Sequence, residues 1–266
     1  ISINDFKYYV IFVDHFTHYI WFFPLKRKSD VFLTFTRFKE VVEKYFNLVI
    51  RRFFSDNGGE FIKLTSFFLD NGITFLTTPP HTPEQNGFAE RRHRHIVETG
   101  LSLLNHSNVP QSFWPYAFRM ASYIINRIPT PTLQNKTPYS VLFHKEPEYD
   151  KIHGFGCLCY PWLRPYTNHK LDPHSIPCVY LGPSPTQSAS LCLDPSTNRV
   201  YVSRHVRFIE DNFPYPVLCK TMQPSASSLS HTDFVLPVIH LPDCTSDIHT
   251  SPPSPFPSPP SSRPHS

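Results

Sequence analysis

The stretch FKYYVIFVDHFTHYIWFFPLK, residues 6 to 26, limits the fold more than any other part of the chain. Two runs of β-branched and aromatic residues flank DHFTH, and such side chains suit a pleated, half-buried surface. The pattern fits two adjacent antiparallel strands joined by a short turn. Any fold for this chain must therefore build a sheet from its start.

The next segment, SDVFLTFTRFKEVVEKYF (29 to 46), changes period. Val31, Phe35, Phe38, Val42 and Tyr45 or Phe46 recur at helical spacing, with Ser29 or Asp30 as N-cap. VIRRFFSD then reads as a strand and LTSFFLD as a short helix closed by Asn71-Gly72. ITFLTT (73 to 78) reads as a further strand. After PPHTPEQNG the helical period returns, with Ile96, Val97, Gly100, Leu101 and Leu104 as an apolar stripe. Glu90, Arg91, Arg94, His95 and Glu98 lie mostly off that stripe, and Glu90 and Arg94 share a face. Residues 110 to 129 form one more helix, bracketed by Pro110 and Pro129. Strands and helices in this order describe an α/β domain over a mixed sheet.

From about residue 150 short apolar runs alternate with turn residues: GCLCYPWL, CVYLGPS, ASLCLDPSTNRVYVSRHVRFIE. In the last of these, Asp194, Pro195 and Asn198 supply turn chemistry between two alternating strands. A small all-β domain over roughly 150–215 follows. The final fifty residues are dominated by Pro, Ser and Thr and hold too little apolar mass to offset the entropy of ordering them. They read as a disordered linker or tail, 216–266.

The formal charge is +4, so a polyanionic partner must be argued from local clusters rather than from the whole. The six cysteines include one C-x-C and no C-x-x-C, a poor match to zinc spacing or a dense disulfide framework, and the default is a reduced, intracellular compartment. No apolar run approaches a membrane span and no signal segment opens the chain, so a membrane role is not expected.

Two carboxylates stand out by context. Asp56 ends a strand in FSDNGGEF, on glycine-rich backbone that lets another molecule approach closely; Glu90 sits early on a helix after a Gly-bearing loop. Phosphoryl transfer needs acids that converge on divalent metal, and a strand end and a helix face can meet in space. Taken singly, Asp56 reads first as a turn former and Glu90 as part of a solvated helix face. The densest basic cluster, Arg91, Arg92, His93, Arg94 and His95, adjoins Glu90, where the phosphates of a nucleic acid would lie. The aromatics Trp21, Phe22, Phe23, Phe53, Phe54, Trp114 and Tyr123 fall at strand and helix periods and are assigned to the core rather than to base stacking. Cys157 and Cys159 alternate on one strand and do not chelate together.

FSDNGGEF, NGITFLTTPPHTPEQNGFAERRHRHIVETG, FWPYAFRMASYIINRIPT, VYLGPSPTQ and YVSRHVRF, in this order, resemble the integrase region of copia-type LTR retrotransposon polyproteins, especially those of plants. The resemblance covers residues 6 to 215. It implies a ribonuclease H-like integrase core over 1–145, lacking its first strand, then a small β-barrel domain over 150–215. Asp56 matches the second aspartate of the family's D, D, E set, and Glu90 matches the glutamate. The 33 residues between them are two short of the family's usual spacing, which rotates the clipped helix by about 200° at 3.6 residues per turn. The first aspartate is expected on a strand before YYVIFVDHF, where this chain has not yet begun. Asp14 matches the family's second strand, where the family carries a non-catalytic acid, and Asp5 falls in the preceding turn, so neither replaces it. Gln85, Asn86 and Gly87 resemble the loop that approaches the DNA end.

The implied function is DNA integration, a DNA strand transfer with Mg²⁺ or Mn²⁺ as cofactor. Asp56 and Glu90 would be the catalytic and metal-binding residues, and Asn86, Arg91, Arg92, His93 and Arg94 would bind DNA. The implied partners are element cDNA ends and target DNA, with a homo-oligomer in the intact parent and a nuclear site of action. With one acid absent the chain alone is expected to be inactive. The rival reading is a DNA-binding or assembly scaffold without catalysis, or the remnant of a decayed element.

Overall fold

The computed structural model describes residues 2–55, 58–77, 83–166, 171 and 173–220, with the side chains of 83–86, Pro165 and Lys220 left aside. Strands β1 (Tyr8–Val13) and β2 (Ile20–Leu25) form the expected antiparallel hairpin, with Tyr8 opposite Leu25 and Val13 opposite Ile20. The turn is fixed by Asp14, whose Oδ2 accepts from the Thr17 amide (2.7 Å) and hydroxyl (2.6 Å), while His18 takes a left-handed φ of 60°. Side chains alternate strictly. Val10, Phe12, Phe23 and Leu25 enter one apolar cluster, and Tyr9, Ile11, Ile20 and Phe22 enter another. The hairpin is thus a middle layer with a core on each face.

Helix α1 (Val31–Phe46) covers the first face through Val31, Phe35 and Phe38. Asp30 is its N-cap residue, but its carboxylate accepts from the Arg27 amide (2.9 Å) across a preceding 3-10 turn, Lys28–Asp30, rather than from the helix. Tyr45 and Phe46 pack against Phe143 instead of the core.

Strand β3 (Arg52–Ser55) leads to two short helices, α2 (Gly59–Ile62) and α3 (Thr65–Asp70), where the sequence suggested one. The clipped segment still packs: Leu64, between the two helices, and Phe68 are fully buried. Gly72, at φ 66°, turns the chain into β4 (Thr74–Thr77), which runs parallel to β3 with Phe53 beside Phe75.

The expected single mixed sheet is not formed among the described residues. β1 pairs only with β2 and β3 only with β4, giving two separate ribbons. Both lie on α1, where the Phe35 ring meets Phe12 (5.6 Å between centroids) and Phe53 (4.9 Å). Phe54, assigned to the core from its period, is 61% exposed because the outer face of the β3–β4 ribbon is bare there.

Helices α4 (Pro83–Ser107) and α5 (Trp114–Ile125) cover the hairpin's second face. The loop expected at Gln85, Asn86 and Gly87 is helical backbone instead: all three residues lie inside α4, whose start at Pro83 uses a residue already set at helical φ. On its buried face Ile96, Gly100 and Leu104 pack inward as expected, whereas Leu101 sits at the stripe's margin, 38% exposed. Gly100 permits the close crossing of the two helices: a Cβ there would lie 2.3 Å from Phe118 Cδ1. A short helix, α6 (Pro138–Phe143), follows, capped by Thr137, whose hydroxyl accepts from the Ser140 amide at 2.9 Å.

Five strands come next: β5 (Leu158–Pro161), β6 (Cys178–Pro183), β7 (Ser190–Asp194), β8 (Arg199–Ser203) and β9 (Val206–Ile209). Their order is β8-β7-β6-β5-β9. Because β8 and β9 occupy opposite edges yet are joined by Arg204 and His205 alone, the sheet has to curl back on itself. The β7–β8 hairpin is the one expected, with Asp194 Oδ1 accepting from the Ser196 amide (2.9 Å) and Asn198 at φ 56°. A bulge between Tyr180 and Gly182 lets β6 lie against Met120 of α5. Hairpin, α4, α5 and curled sheet therefore share one continuous apolar cluster. Cys157, Cys159, Cys178 and Cys192 are buried within it as free thiols, and burial pushes the Cys157 thiol up to about 12.

The tail was expected to start at 216. Instead α7 (Tyr215–Lys220) continues the fold, with Tyr215 against Phe113 and Leu218 against the core. The remainder of the Pro/Ser-rich segment lies outside the described residues.

Candidate functional site

The β1–β2 turn, the end of β3 and the first turns of α4 come together in one neighbourhood. The link is aromatic. His15 stacks on Phe54 (6.4 Å, 28°) and contacts Phe88 (5.5 Å), and Phe88 also meets His18 (4.9 Å). Phe54 precedes Asp56 by two residues, and Phe88 precedes Glu90 by two. Asp56 itself lies outside the described residues, as does the side chain of Asn86, whose backbone belongs to α4.

Glu90 is exposed on α4, one helical turn before Arg94, which is exposed on the same side. Arg91 is also exposed, with its guanidinium lying over Gly87. These residues present charge to solvent along one flank of α4. Among the described residues no group of three or more His, Cys, Asp or Glu side chains is placed to hold a metal ion. Asp14 Oδ2 accepts both the amide and the hydroxyl of Thr17.

Two members of the basic cluster, half-buried Arg92 and exposed His93, reach side chains of the β1–β2 hairpin. Arg92 Nη2 donates to His18 Nδ1 (2.9 Å), and its guanidinium lies 5.6 Å from the Phe88 ring. Burial, then the neighbouring Arg91, lowers the Arg92 pKa. Burial and Arg92 likewise lower that of His18, against a smaller raising effect of Asp14. His93 stacks on Tyr9 (5.5 Å, 13°) and hydrogen-bonds its hydroxyl through Nε2. Arg92 and His93 thus fasten α4 to the hairpin, while Arg91 and Arg94 remain on the outer face. Periodicity along α4 could place the residues on faces, but not reveal partners more than seventy positions away.

A second charged surface, which the sequence reading passed over, lies on the curled sheet. Tyr160, Pro161, Trp162, Ser175, Arg204, His205, Val206, Arg207 and Ile209 line an open groove of about 750 Å³. The only sequence signal was YVSRHVRF, whose two arginines flank the corner between β8 and β9.

Comparison with known proteins places the chain. Residues 157–221 match the family described as the retroviral polymerase SH3-like domain. The chain is 51% identical over 270 residues to the "Retrovirus-related Pol polyprotein from transposon RE1" of Arabidopsis thaliana, an alignment covering 98% of this chain and 18% of that polyprotein. It is 51% identical over 250 residues to the corresponding polyprotein from transposon RE2 of the same plant, covering 89% and 17%. A chain of the simian T-cell lymphotropic virus intasome, solved in complex with a PP2A regulatory subunit, overlaps with a TM-score of 0.42 at 17% identity. That match covers 75% of this chain and 71% of the other, too loose an overlap to argue from. The chain spans less than a fifth of the length of either plant polyprotein. Over nearly its whole length, then, this chain is related to one segment of the retrovirus-related Pol polyproteins of plant transposons, and it carries a retroviral polymerase SH3-like domain.

Proposed function

We propose that the chain is part of a retrotransposon integrase, a polynucleotidyl transferase that joins element cDNA to target DNA, with a ribonuclease H-like core followed by a small barrel. The observation that carries this reading is His15, held between Phe54 and Phe88, which draws the end of β3 and the first turns of α4 into one neighbourhood. Asp56 and Glu90 are the acids two positions beyond those rings. Carboxylate donors suit Mg²⁺ or Mn²⁺. Asp56 and Glu90 would hold such an ion, which when bound stabilises charge on attacking and leaving phosphate oxygens. Arg91 and Arg94 would receive the phosphates of DNA, while Arg92 and His93 keep α4 in place beneath them. In the intact parent the assembly would be oligomeric and act in the nucleus.

Two acids do not complete a D, D, E set. In this reading a further strand, bearing the remaining aspartate, belongs between the β1–β2 and β3–β4 ribbons, which do not pair with each other. The test is strand transfer measured with Mg²⁺ and with Mn²⁺. The 266-residue chain should give none, and a chain extended upstream in its polyprotein should be active. Asp56→Asn or Glu90→Gln should then abolish transfer while DNA binding persists. Transfer by the unextended chain that survives Asp56→Asn would place the chemistry elsewhere. A scaffold without catalysis would bind DNA yet stay inactive after extension.

A further inference from the structure

We infer that the groove at the corner of the curled sheet is a docking site for a segment of this chain's own tail, SPPSPFPSPP, residues 251 to 260, laid in as a polyproline II helix. Neither Asp56 nor Glu90 takes part, so the groove stands apart from the integrase chemistry.

The groove offers ring surface and hydrogen-bond donors, and none of its lining residues is acidic. Tyr160 and Pro161 close β5, and Trp162 follows directly after that strand, 47% exposed although His174 stacks on it at 5.5 Å and 29°. Arg204, in the turn after β8, and Arg207, on β9, are exposed as well. Six of the ten residues in the tail segment are prolines, which have no backbone N–H. Such a segment presents carbonyl acceptors and ring faces, the complement of this lining. Arginine and indole hydrogens suit the carbonyls, and flat rings suit the pyrrolidines. Aromatic-lined grooves take proline-rich segments in this way, because the ligand is already extended and loses little entropy on docking. Pro252 with Pro255, and Pro257 with Pro260, recur every three residues, which puts each pair on one face of a helix with three residues per turn. Phe256 between them is the segment's one large apolar side chain, and Val206 and Ile209 give it an apolar wall.

The chain also leaves the fold in a place that can supply the segment. After β9 it runs back past the start of β5, where the Asn212 carbonyl accepts from the Leu158 amide at 2.7 Å, and α7 ends at Lys220. Residues 221 to 250 are the tether. A flexible chain of that length spans about 30 Å, against a radius of gyration of about 17 Å for a folded body of this size. Charge favours the same match. Residues 221 to 266 carry three aspartates and one arginine, and Asp243 and Asp247 lie just ahead of the segment, where Arg204 and Arg207 can receive them. The groove itself needs little ordering, since the Trp162 amide donates to the His205 carbonyl at 2.9 Å and the Ser203 hydroxyl reaches the same carbonyl at 3.0 Å.

The experiment compares the full 266-residue chain with a full-length variant carrying Pro252→Ala, Pro255→Ala, Pro257→Ala and Pro260→Ala. The Trp162 indole N–H is followed by NMR and assigned by its loss in Trp162→Phe, with Trp21 and Trp114 as internal references. Its resonance should differ between the two chains while the references stay in place. Fluorescein-labelled SPPSPFPSPP added in trans should bind the variant about tenfold more tightly than the wild type, whose own tail competes at an effective concentration of about 1 mM. Trp162→Ala in the variant background should weaken that peptide about tenfold. A Trp162 resonance unmoved by the four substitutions overturns the proposal, as does equal peptide affinity in both chains. A Trp162 shift that grows with protein concentration overturns it in favour of docking between copies. Equal Trp162 shifts in the two chains on adding dT12 would show the groove free of the tail and open to nucleic acid, and overturn it too. No readout involves strand transfer, so loss of the integrase reading leaves each of them intact.

Discussion

Asn126, just past the end of α5, holds Ile20 by both of its backbone groups. Its Oδ1 accepts from the Ile20 amide at 2.9 Å and its Nδ2 donates to the Ile20 carbonyl at 2.8 Å. The Tyr19 carbonyl on the other side accepts from the Asp14 amide. One buried side-chain amide thus does for the outer edge of β2 what a neighbouring strand would do. Asn126→Ala would leave a buried donor and a buried acceptor unpaired, each costing about 1–3 kcal/mol. Urea unfolding should show a loss of about 2–4 kcal/mol with an unchanged m-value.

Gly100→Ala tests the α4–α5 crossing. On an exposed helix this change stabilises by about 1 kcal/mol. Here the new methyl would fall 2.3 Å from Phe118 Cδ1, and Phe118 is itself buried. Overpacking of this kind costs about 1–3 kcal/mol, so the melting temperature should fall rather than rise.

The α4 arginines should separate into two classes. With duplex DNA, Arg91→Ala and Arg94→Ala should each reduce the log–log salt slope by about 0.9 if each neutralises one phosphate. Arg92→Ala should instead lower thermal stability, since Arg92 spends its guanidinium on His18 and Phe88. Equal slopes in the wild type and the Arg91/Arg94 double variant would reduce α4 to a solvated face.

Tyr19 gives the fold an alkaline weakness. Burial raises its hydroxyl from 10.0 to about 12, partly opposed by Arg127. Between pH 10 and 12 the unfolded chain has released this proton and the folded chain has kept it, so stability falls as pH rises through that window. Below pH 10 the contribution is fully present. Tyr19→Phe should make the decline above pH 10 shallower in denaturant titrations at stepped pH.

What could be read from the sequence was local. The β1–β2 hairpin, the spacing of Val31, Phe35 and Phe38, and the Asp194–Asn198 turn depend on neighbours within a few residues, and the structure has all three. What escaped reading depends on distant partners. Phe54 alternates like a core residue, but it meets His15 at the surface and stays mostly exposed. The split between the two ribbons is a matter of which strands pair, and no period encodes that. For the candidate site, the exposed flank with Glu90, Arg91 and Arg94 followed from helical geometry. The contacts of Arg92 and His93 with the hairpin required His18 and Tyr9, which are far away along the chain.

The pairing of β5 with β9 has a consequence during synthesis. Leu158 leaves the ribosome long before Ile209, its partner across the sheet, and β9 closes the corner that β8 opens. At roughly 5–20 residues per second, several seconds pass in which Met120 and its neighbours on α5 lack the cover that β6 later provides. A nascent chain stalled in that interval would show chaperones a greasy helix face, and emergence of β6 would withdraw it.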